Sequence, residues 1–499
     1  MVDTKHLGET IMKKLTQSLK NYEKEVDYRF HMPGHKGILS WEPIKKALKY
    51  DVTEVDGTDN LMHPSDGIKS FMEEMKGFYA TEKTYISVNG STGGLMTAIG
   101  TVCKRNDEIL IQRDVHKSIY NAIEIMGLKA IYIKSKIDLE WGIPLGIDLN
   151  ELERILKTPN KIKAVVVTHP NYYGIGQEIE NLVKIAHKFG KIVIVDEAHG
   201  AHLPFLKENN VMSSLKANAD IVVESMHKTL PALTQTALIH LNTKKISPEK
   251  LEKKLFTFQT TSPSYLLMSS MEFAFHWMKE NGNAKLQELK TILEEYISKI
   301  EKINGCEVFK IENTDYKTES TTQKQEKPII QDFTKLVVSM DGYTGFELEN
   351  ILRKKERIQV EMADLRAVTL IITAVDTKEG LELFYRGLKN IANKSTDKDK
   401  NILKKEKYSS ILSKIENIEL EQATSIECAF EADNIYVGLK KSEGFIGADF
   451  IIPYPPGIPL LVPGEVISKE IIEYIIELKS AGAEILGIKN NEISVVKEI

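Results

Sequence analysis

The sequence has few cysteines and no long apolar run, and both absences exclude whole classes of protein. Its 499 residues include three cysteines, Cys103, Cys306 and Cys428, which are too far apart for a disulfide framework or a CxxC pair. No apolar stretch approaches the ~18 residues that cross a bilayer, and the first residues lack the apolar core of a signal peptide. We therefore predict a cytoplasmic protein that has no membrane as partner.

An excess of charge of one sign is also lacking. Lysine and arginine together number 66, aspartate and glutamate 71, and the net charge is −5. No basic tract is interleaved with aromatic residues, so nucleic acid is not an expected partner. The chain is 42% hydrophobic and 27% charged, which is ordinary for a globular protein, and its length predicts roughly two to four domains.

Short aliphatic runs alternate with amphipathic stretches over much of the first half of the chain. Val165–Val167 and Ile192–Val195 are β-branched and unbroken, which predicts buried strands. Between them the apolar residues of 179–186 have helical spacing, and Gly190 stands where a helix C-cap is expected. This βαβ unit predicts a largely parallel sheet, continued by Ile221–Val223, that binds ligands at the carboxyl ends of its strands.

Two polar stretches mark domain boundaries. Residues 312–328 have almost no apolar content and predict an exposed loop, and residues 394–407 have the composition of a linker. The predicted division is an N-terminal helical arm at 1–25, a large domain at 26–285, a small α/β domain at 286–393, a linker at 394–409 and a C-terminal domain at 410–499.

The stretch NGSTGG follows a predicted strand and precedes an apolar run that suits a helix. Backbone N–H groups at a helix start favour an anion, hydroxyls add donors, and glycine lets the backbone approach closely. Ser91, Thr92 and Gly93 are therefore candidates for a phosphate cradle. N-capping of the helix by Ser91 or Thr92 explains the same residues without a ligand, and both interpretations stay open.

Asp196 follows the strand Ile192–Val195. A buried carboxylate there is costly unless a cation or a protonated group pairs with it. With His199 and His202, Asp196 also has a spacing that invites interpretation as a metal site. No further carboxylate or cysteine cluster completes such a site, so we predict no metal.

The next predicted strand, Ile221–Val223, leads to Ser225, His227 and Lys228. A lysine and a carboxylate at neighbouring strand ends, with a phosphate cradle on a third, are what pyridoxal 5′-phosphate requires. The lysine attaches to the cofactor, the acid pairs with its pyridinium nitrogen, and a helix start holds its phosphate. We therefore predict pyridoxal 5′-phosphate as the cofactor.

Seven motifs follow one another along the chain. They are FHMPGHKG at 30–37, DVTEVDGTDNLMHPSDGI at 51–68, NGSTGG at 89–94, RDVHKSIYNAI at 113–123, DEAHGAH at 196–202, SMHKTLPALTQTA at 225–237 and YPPGIPLLVPGE at 454–465. They resemble the fold-type I Orn/Lys/Arg decarboxylases, above all the short bacterial form without a wing domain. The resemblance, weakest from 290 to 425, implies an α/β large domain with a mostly parallel sheet, a smaller α+β domain, a C-terminal domain, and a homodimer or higher homo-oligomer.

The resemblance also implies a role for each matching residue. Lys228 would form the Schiff base with the cofactor, and Asp196 would pair with its pyridinium nitrogen. His116 would stack on the cofactor ring, although a capping histidine is the alternative. His227 would lie by the phosphate or the reacting carbon. The other residues expected at the cofactor are Ser91, Thr92, Gly93, Ser225 and, where relatives often have tryptophan, His199.

His31, His35 and Glu465 are the candidates for substrate binding. A turn made by the neighbouring glycine and proline explains His31 and His35 equally well. Glu465 would recognise the distal cation of the substrate, across a subunit boundary, unless it is only the acid that starts the following helix.

The function implied by the resemblance is decarboxylation of a basic amino acid in polyamine metabolism. Arginine to agmatine is favoured over lysine to cadaverine or ornithine to putrescine. An aminotransferase or lyase of the same fold is one alternative, and a non-catalytic regulatory relative is another. A metal hydrolase using Asp196, His199 and His202 is the third.

Overall fold

The computed structural model describes residues 27–30, 52–54, 58–207, 211–311, 330–394, 418, 420–454 and 457–497. Several predictions lie outside these described residues. They are the arm at 1–25, the loop at 312–328, almost all of the linker at 394–409, and both His31 and His35.

Strands and helices alternate up to residue 277. The strands are β1 (Tyr28–Arg29), β2 (Lys83–Ser87), β3 (Glu108–Gln112), β4 (Lys129–Ile133), β5 (Ser135–Asp138), β6 (Ile143–Ile147), β7 (Ile162–Thr168), β8 (Ile175–Gly176), β9 (Ile192–Asp196), β10 (Ile221–Ser225) and β11 (Ala237–Leu241). The helices are α1 (Gly67–Tyr79), α2 (Gly90–Val102), α3 (Lys117–Met126), α4 (Leu149–Lys157), α5 (Ile179–Lys188), α6 (Met226–Thr229), α7 (Pro248–Phe258) and α8 (Tyr265–Trp277). The predicted βαβ unit is confirmed as β7, α5 and β9, with Gly190 at a φ of +69° just beyond the helix.

A seven-stranded sheet forms the centre of the large domain, in the order β2-β11-β10-β9-β7-β3-β4. β11 is antiparallel to both of its neighbours, and the other neighbouring pairs are parallel. Val223 of β10 is in register with Asp196 of β9. Because β9 and β10 run the same way, the residues that follow them meet at the edge of the sheet where ligands bind.

Both faces of this sheet are buried, which explains why its strands are continuous aliphatic runs. Along β7, Val165 and Val167 pack in a cluster with α1, α5 and α8, whereas Ala164 and Val166 pack in a cluster with α2, α3 and α7. At Gly94 of α2 a Cβ atom would stand 2.7 Å from Val223 Cγ1. The absence of a side chain at Gly94 therefore lets α2 lie directly against β10.

The small domain combines an antiparallel sheet with helices. Its strands are β12 (Cys306–Val308), β13 (Ile330–Gln331), β14 (Lys335–Met340), β15 (Ile358–Gln359), β16 (Met362–Ala363) and β17 (Ala367–Ile371), and its helices are α9 (Asn283–Ile300), α10 (Gly345–Lys355) and α11 (Lys378–Lys394). The sheet has the order β12-β14-β17-β16, and a π-helical turn, Met278–Gly282, joins α8 to α9.

Residues 27–30 pack on the small domain, whereas the predicted division placed them in the large one. Tyr28 pairs with Ile358 as β1 runs parallel to β15. Phe30 is fully buried in the core of the small domain, with its ring centroid 5.7 Å from that of Phe384. Burial of the Phe30 ring explains why residues 27–30 pack against the small domain.

The C-terminal domain is a small α+β unit. Its strands are β18 (Asn434–Gly438), β19 (Ile452–Tyr454), β20 (Glu484–Leu486), β21 (Ile488–Lys489) and β22 (Glu492–Val496), and its helices are α12 (Ile426–Glu431) and α13 (Lys469–Ser480). Ile471 and Ile475 of α13 pack against Val495 of β22. None of the helices in the described parts of the chain is both long enough and apolar enough to cross a bilayer.

Candidate active site

Lys228 lies on α6, a single helical turn that follows β10 directly. Ser225 precedes this turn, and the backbone N–H of Met226 donates to the carbonyl of Thr236 at 3.1 Å. The Nζ atom of Lys228 lies 3.0 Å from His199 Nε2 and 5.3 Å from the ring centroid of Tyr172. The turn is therefore fixed at its start, and its amine lies beside His199 and Tyr172.

The surroundings of Lys228 favour its neutral amine. Removal from water lowers the pKa of Lys228, the charge of Asp196 opposes this shift, and the positive charge of Lys335 adds to it. A neutral lysine keeps the lone pair that a nucleophilic amine needs. The site therefore suits covalent chemistry at Lys228 Nζ.

Asp196 is the last residue of β9 and is 4% exposed. Burial raises its pKa, while the charge of Lys228 and a hydrogen bond from the N–H of Ala198, 3.1 Å from Oδ1, oppose the rise. A carboxylate in this position is stabilised by a cationic or protonated partner. The pyridinium nitrogen of pyridoxal phosphate is such a partner.

His199 and Tyr172 form an aromatic pair beside Lys228. Their ring centroids are 4.4 Å apart with an interplanar angle of 55°. Burial lowers the pKa of His199 well below its usual range, and the charge of Lys228 adds to this effect. A neutral His199 can therefore accept a hydrogen bond from Lys228 through Nε2.

His116 is the N-cap residue of α3, so the capping alternative is present in the structure. Its Nδ1 accepts from the backbone N–H of Ser118 at 3.2 Å and lies 2.8 Å from Ser118 Oγ. Burial, together with the charge of Lys228, lowers the pKa of His116 to about 4. The cap fixes the imidazole ring near Lys228, so capping and contact with a cofactor ring are compatible.

Ser91, Thr92 and Gly93 occupy the first turn of α2, whose N-cap Asn89 makes no side-chain capping bond. This turn is shaped by Gly90, which has a φ of +68° and donates its N–H to the carbonyl of Gln235 at 2.8 Å. The helix start therefore retains backbone donors for an anion.

Ser225 and His227 lie where β10 ends, on the strand that α2 packs against. Ser225 Oγ is buried and has no hydrogen-bond partner among the described residues, and His227 Nδ1 lies 3.1 Å from the carbonyl of Thr236. A buried hydroxyl near a helix start, a carboxylate and a desolvated lysine together fit pyridoxal 5′-phosphate.

The structure does not gather Asp196, His199 and His202 around one point. His202 Nε2 lies 3.1 Å from Asp332 of the small domain and 3.4 Å from Thr334 Oγ1, whereas His199 contacts Lys228. Within the described ranges, no group of three or more histidine, cysteine, aspartate and glutamate side chains is arranged to hold a metal ion.

Glu465 does not start the following helix, so that alternative for Glu465 is wrong. The helix α13 begins at Lys469, and Ser468 caps it by accepting from the N–H of Ile471. Both carboxylate oxygens of Glu465 contact Arg113, at 3.0 and 3.2 Å, and Oε2 also accepts from the N–H of Val462. This pairing favours a structural role for Glu465 over contact with a substrate cation in its own subunit.

Two residues near Lys228 are absent from the sequence-based prediction. Tyr172 follows β7, so its place at the carboxyl end of a central strand was a usable signal. Lys335 is 2% exposed and begins β14 of the small domain. Because Lys335 comes from the part of the chain with the weakest motif pattern, nothing in the sequence places its charge near Lys228.

Comparison with known families assigns the chain. Residues 13–380 match the major domain of the Orn/Lys/Arg decarboxylases, and residues 403–496 match their C-terminal domain. The chain belongs to the Orn/Lys/Arg decarboxylase family. It is 31% identical to an arginine decarboxylase of Bacillus subtilis over 493 residues, which cover 97% of both chains. The protein is therefore a decarboxylase, and the family resemblance seen in the sequence is confirmed.

Solved structures confirm the fold class. The constitutive lysine decarboxylase of Escherichia coli superposes with a TM-score of 0.75 at 19% identity, over 97% of this chain and 81% of that one. A serine palmitoyltransferase of Sphingomonas wittichii superposes with a TM-score of 0.56 at 15% identity, over 73% of this chain and 87% of that one. This decarboxylase therefore has the fold-type I architecture of pyridoxal phosphate enzymes.

Proposed function

We propose that this decarboxylase converts arginine to agmatine, a step of polyamine metabolism, with pyridoxal 5′-phosphate attached to Lys228. The observation that carries the proposal is the desolvated amine of Lys228 beside the buried carboxylate of Asp196, at the carboxyl ends of adjacent parallel strands. The choice of arginine is supported by the Bacillus subtilis arginine decarboxylase, which aligns over 97% of both chains.

Different residues of the site would bind different parts of the cofactor. Asp196 would bind the ring nitrogen, and His116 would lie against the ring. The backbone N–H groups of Ser91 and Thr92, with Ser225 Oγ, would bind the phosphate, whereas the N–H of Gly93 already donates to the carbonyl of Asn89 at 3.2 Å. When bound, pyridoxal phosphate supplies an electron sink for the bond that is broken as CO2 leaves. By keeping a negative charge at the ring nitrogen, Asp196 would maintain the proton there.

Proton transfer would fall to residues that follow β10, with His199, after β9, beside them. Lys228 Nζ, once displaced by the amine of the substrate, would hold a proton close to the carbon that loses the carboxylate. His199 Nε2 is 3.0 Å from this nitrogen and would orient it through a hydrogen bond. His227, anchored through Nδ1 to the carbonyl of Thr236, is the second candidate donor.

The attachment to Lys228 is tested directly. Purified protein is incubated with pyridoxal phosphate, reduced with borohydride, digested and examined by mass spectrometry. We expect a cofactor adduct on Lys228 in the wild type and in the exposed-lysine control Lys216→Ala, and none in Lys228→Ala. A wild type without an adduct, or a Lys228→Ala variant with near-normal turnover, would refute the proposal.

The substrate is tested with the same preparation. Arginine, lysine and ornithine are supplied separately, and the amine, CO2 and any keto acid are measured. Agmatine should form fastest. If cadaverine or putrescine forms faster, the protein is still a decarboxylase but its substrate is lysine or ornithine. Formation of a keto acid would support the aminotransferase alternative. Light scattering after gel filtration tests the homodimer or higher homo-oligomer that the family resemblance implies.

A further inference from the structure

Arg113 and Glu465 form a buried ion pair between the large domain and the C-terminal domain. Arg113 follows β3 directly, and Glu465 lies before α13. The Nη2 atom lies 3.0 Å from Oε2 and 3.2 Å from Oε1, and the two side chains are 15% and 1% exposed. A single nitrogen of Arg113 therefore faces both carboxylate oxygens, and such charge-assisted hydrogen bonds are stronger than neutral ones.

The pair also fixes the chain between residues 457 and 465, here the 457–465 segment. Arg113 Nη1 donates to the carbonyl of Pro459 at 2.8 Å, and Nη2 donates to that of Leu460 at 3.3 Å. Glu465 Oε2 accepts from the N–H of Val462 at 2.8 Å. One guanidinium therefore binds both the middle and the end of the 457–465 segment.

The 457–465 segment lies on the first turn of α3. The N–H of Lys117 donates to the carbonyl of Gly457 at 3.2 Å, and Arg113 Nη1 also lies 2.9 Å from Tyr120 Oη on the same helix. His116 is the N-cap of α3 and stands three residues after Arg113. The contacts of Arg113 and Glu465 therefore surround the turn that carries His116 without touching the amine of Lys228.

We propose that Arg113 and Glu465 are positioning residues that act through the 457–465 segment to hold His116 at the cofactor ring. This inference rests on the proposed function, because it takes the cofactor to bind at Lys228. Removing one partner leaves the other charge buried and unpaired, so the segment and the first turn of α3 relax together. In this role Glu465 does not contact the substrate.

The test compares Arg113→Gln, Glu465→Gln and the double variant. Apoprotein is titrated with pyridoxal phosphate in the absence of substrate and the cofactor absorbance is followed; kcat and KM for arginine are measured separately. Each single change should weaken cofactor binding roughly tenfold or more, as expected for a displaced binding group. The double variant should be no weaker than the weaker single variant, since the two residues act as one unit.

A matched control is the ion pair of Arg105 with Glu427, which joins the same two domains at the surface. Its side chains are 63% and 24% exposed, and surface pairs contribute little. Arg105→Gln and Glu427→Gln should therefore keep the cofactor affinity of the wild type. This comparison separates loss of any interdomain pair from loss of the pair beside His116.

Three results decide the inference. Unchanged cofactor affinity in folded Arg113→Gln and Glu465→Gln would overturn it, as would a raised KM for arginine with normal cofactor affinity in Glu465→Gln alone. If the glutamine variants do not fold, Arg113→Lys decides. Lysine keeps the charge but lacks the two separate nitrogens with which Arg113 contacts Pro459 and Glu465, so weaker cofactor binding supports the inference and wild-type affinity refutes it. A wild type that binds no cofactor overturns the proposed function itself.

Discussion

A methyl group added at Gly94 should push α2 away from the sheet. The new Cβ atom would stand 2.7 Å from Val223 Cγ1 and 3.2 Å from Ile239 Cγ1, where ordinary contact begins at 3.4 Å. The helix or the strand side chains must therefore yield by 3.4 − 2.7 = 0.7 Å. Overpacking of this kind costs ~1–3 kcal/mol, and alanine returns roughly 0.5–1 kcal/mol in a helix interior. We expect Gly94→Ala to lose about 1 kcal/mol of unfolding free energy, the middle of the difference between these two ranges.

The displacement should also reach the cofactor. Gly94 lies one turn after Ser91 on α2, so the backbone donors proposed for the phosphate move with the helix. A tenfold loss of pyridoxal phosphate affinity corresponds to about 1.4 kcal/mol, and we expect a loss of this order. Denaturant unfolding of the apoprotein measures the stability change, and titration with pyridoxal phosphate measures the affinity.

Gly77→Ala is the matched control for Gly94→Ala. Gly77 is an exposed residue of α1, and no atom of the described residues lies within 4 Å of its added Cβ. Alanine there should leave cofactor affinity unchanged and stabilise the helix by up to ~1 kcal/mol. If Gly94→Ala matched Gly77→Ala in both measurements, close packing of α2 on β10 would not be what shapes the site.

Two further predictions concern His116 and Glu224. His116→Asn should keep the helix cap and lose the ring, so cofactor affinity falls while stability holds. His116→Ala should lose about 1 kcal/mol of stability as well. Wild-type cofactor affinity in His116→Asn would contradict a role for the ring, and equal stability of the two variants would contradict the cap. Burial raises the pKa of Glu224 well above its usual range. Between the unfolded pKa of ~4.3 and the higher folded pKa, Glu224 loses its proton in the unfolded chain but keeps it in the folded state. The free energy of unfolding of the wild type therefore falls by up to ~1.4 kcal/mol per pH unit as pH rises through this window. Glu224→Gln lacks this loss, and denaturation midpoints at about pH 5 and about pH 8 should diverge from those of the wild type; parallel midpoints would refute the reasoning.

Local sequence patterns were sufficient to predict the parallel sheet and the residues at the carboxyl ends of its strands. The strands that end at Asp196 and Ser225 could be predicted because strands buried on both faces are unbroken aliphatic runs. The short turn that carries Lys228 follows β10 in sequence as well as in space. His116 was found through its motif, while its capping bond to Ser118 spans only two residues.

Contacts between domains were not predicted. Residues 27–30 joined the small domain because Phe30 is buried against a core more than two hundred and fifty residues away in the chain. His202 pairs with Asp332, 130 residues further along the chain (332 − 202), and Arg113 pairs with Glu465, 352 residues further along. Neither the hydrophobic periodicity of the sequence nor the spacing of its motifs predicts such pairs.

The sequence by itself determined the family, the parallel sheet and the residues at its carboxyl edge, since burial periodicity and ordered motifs are properties of neighbouring residues. Only the tertiary structure decided which charges meet there. The place of Lys335 near Lys228 and the pairing of Glu465 with Arg113 depend on how the small and C-terminal domains dock on the large one. Docking is set by complementary surfaces formed after folding, and so leaves no local signature in the chain.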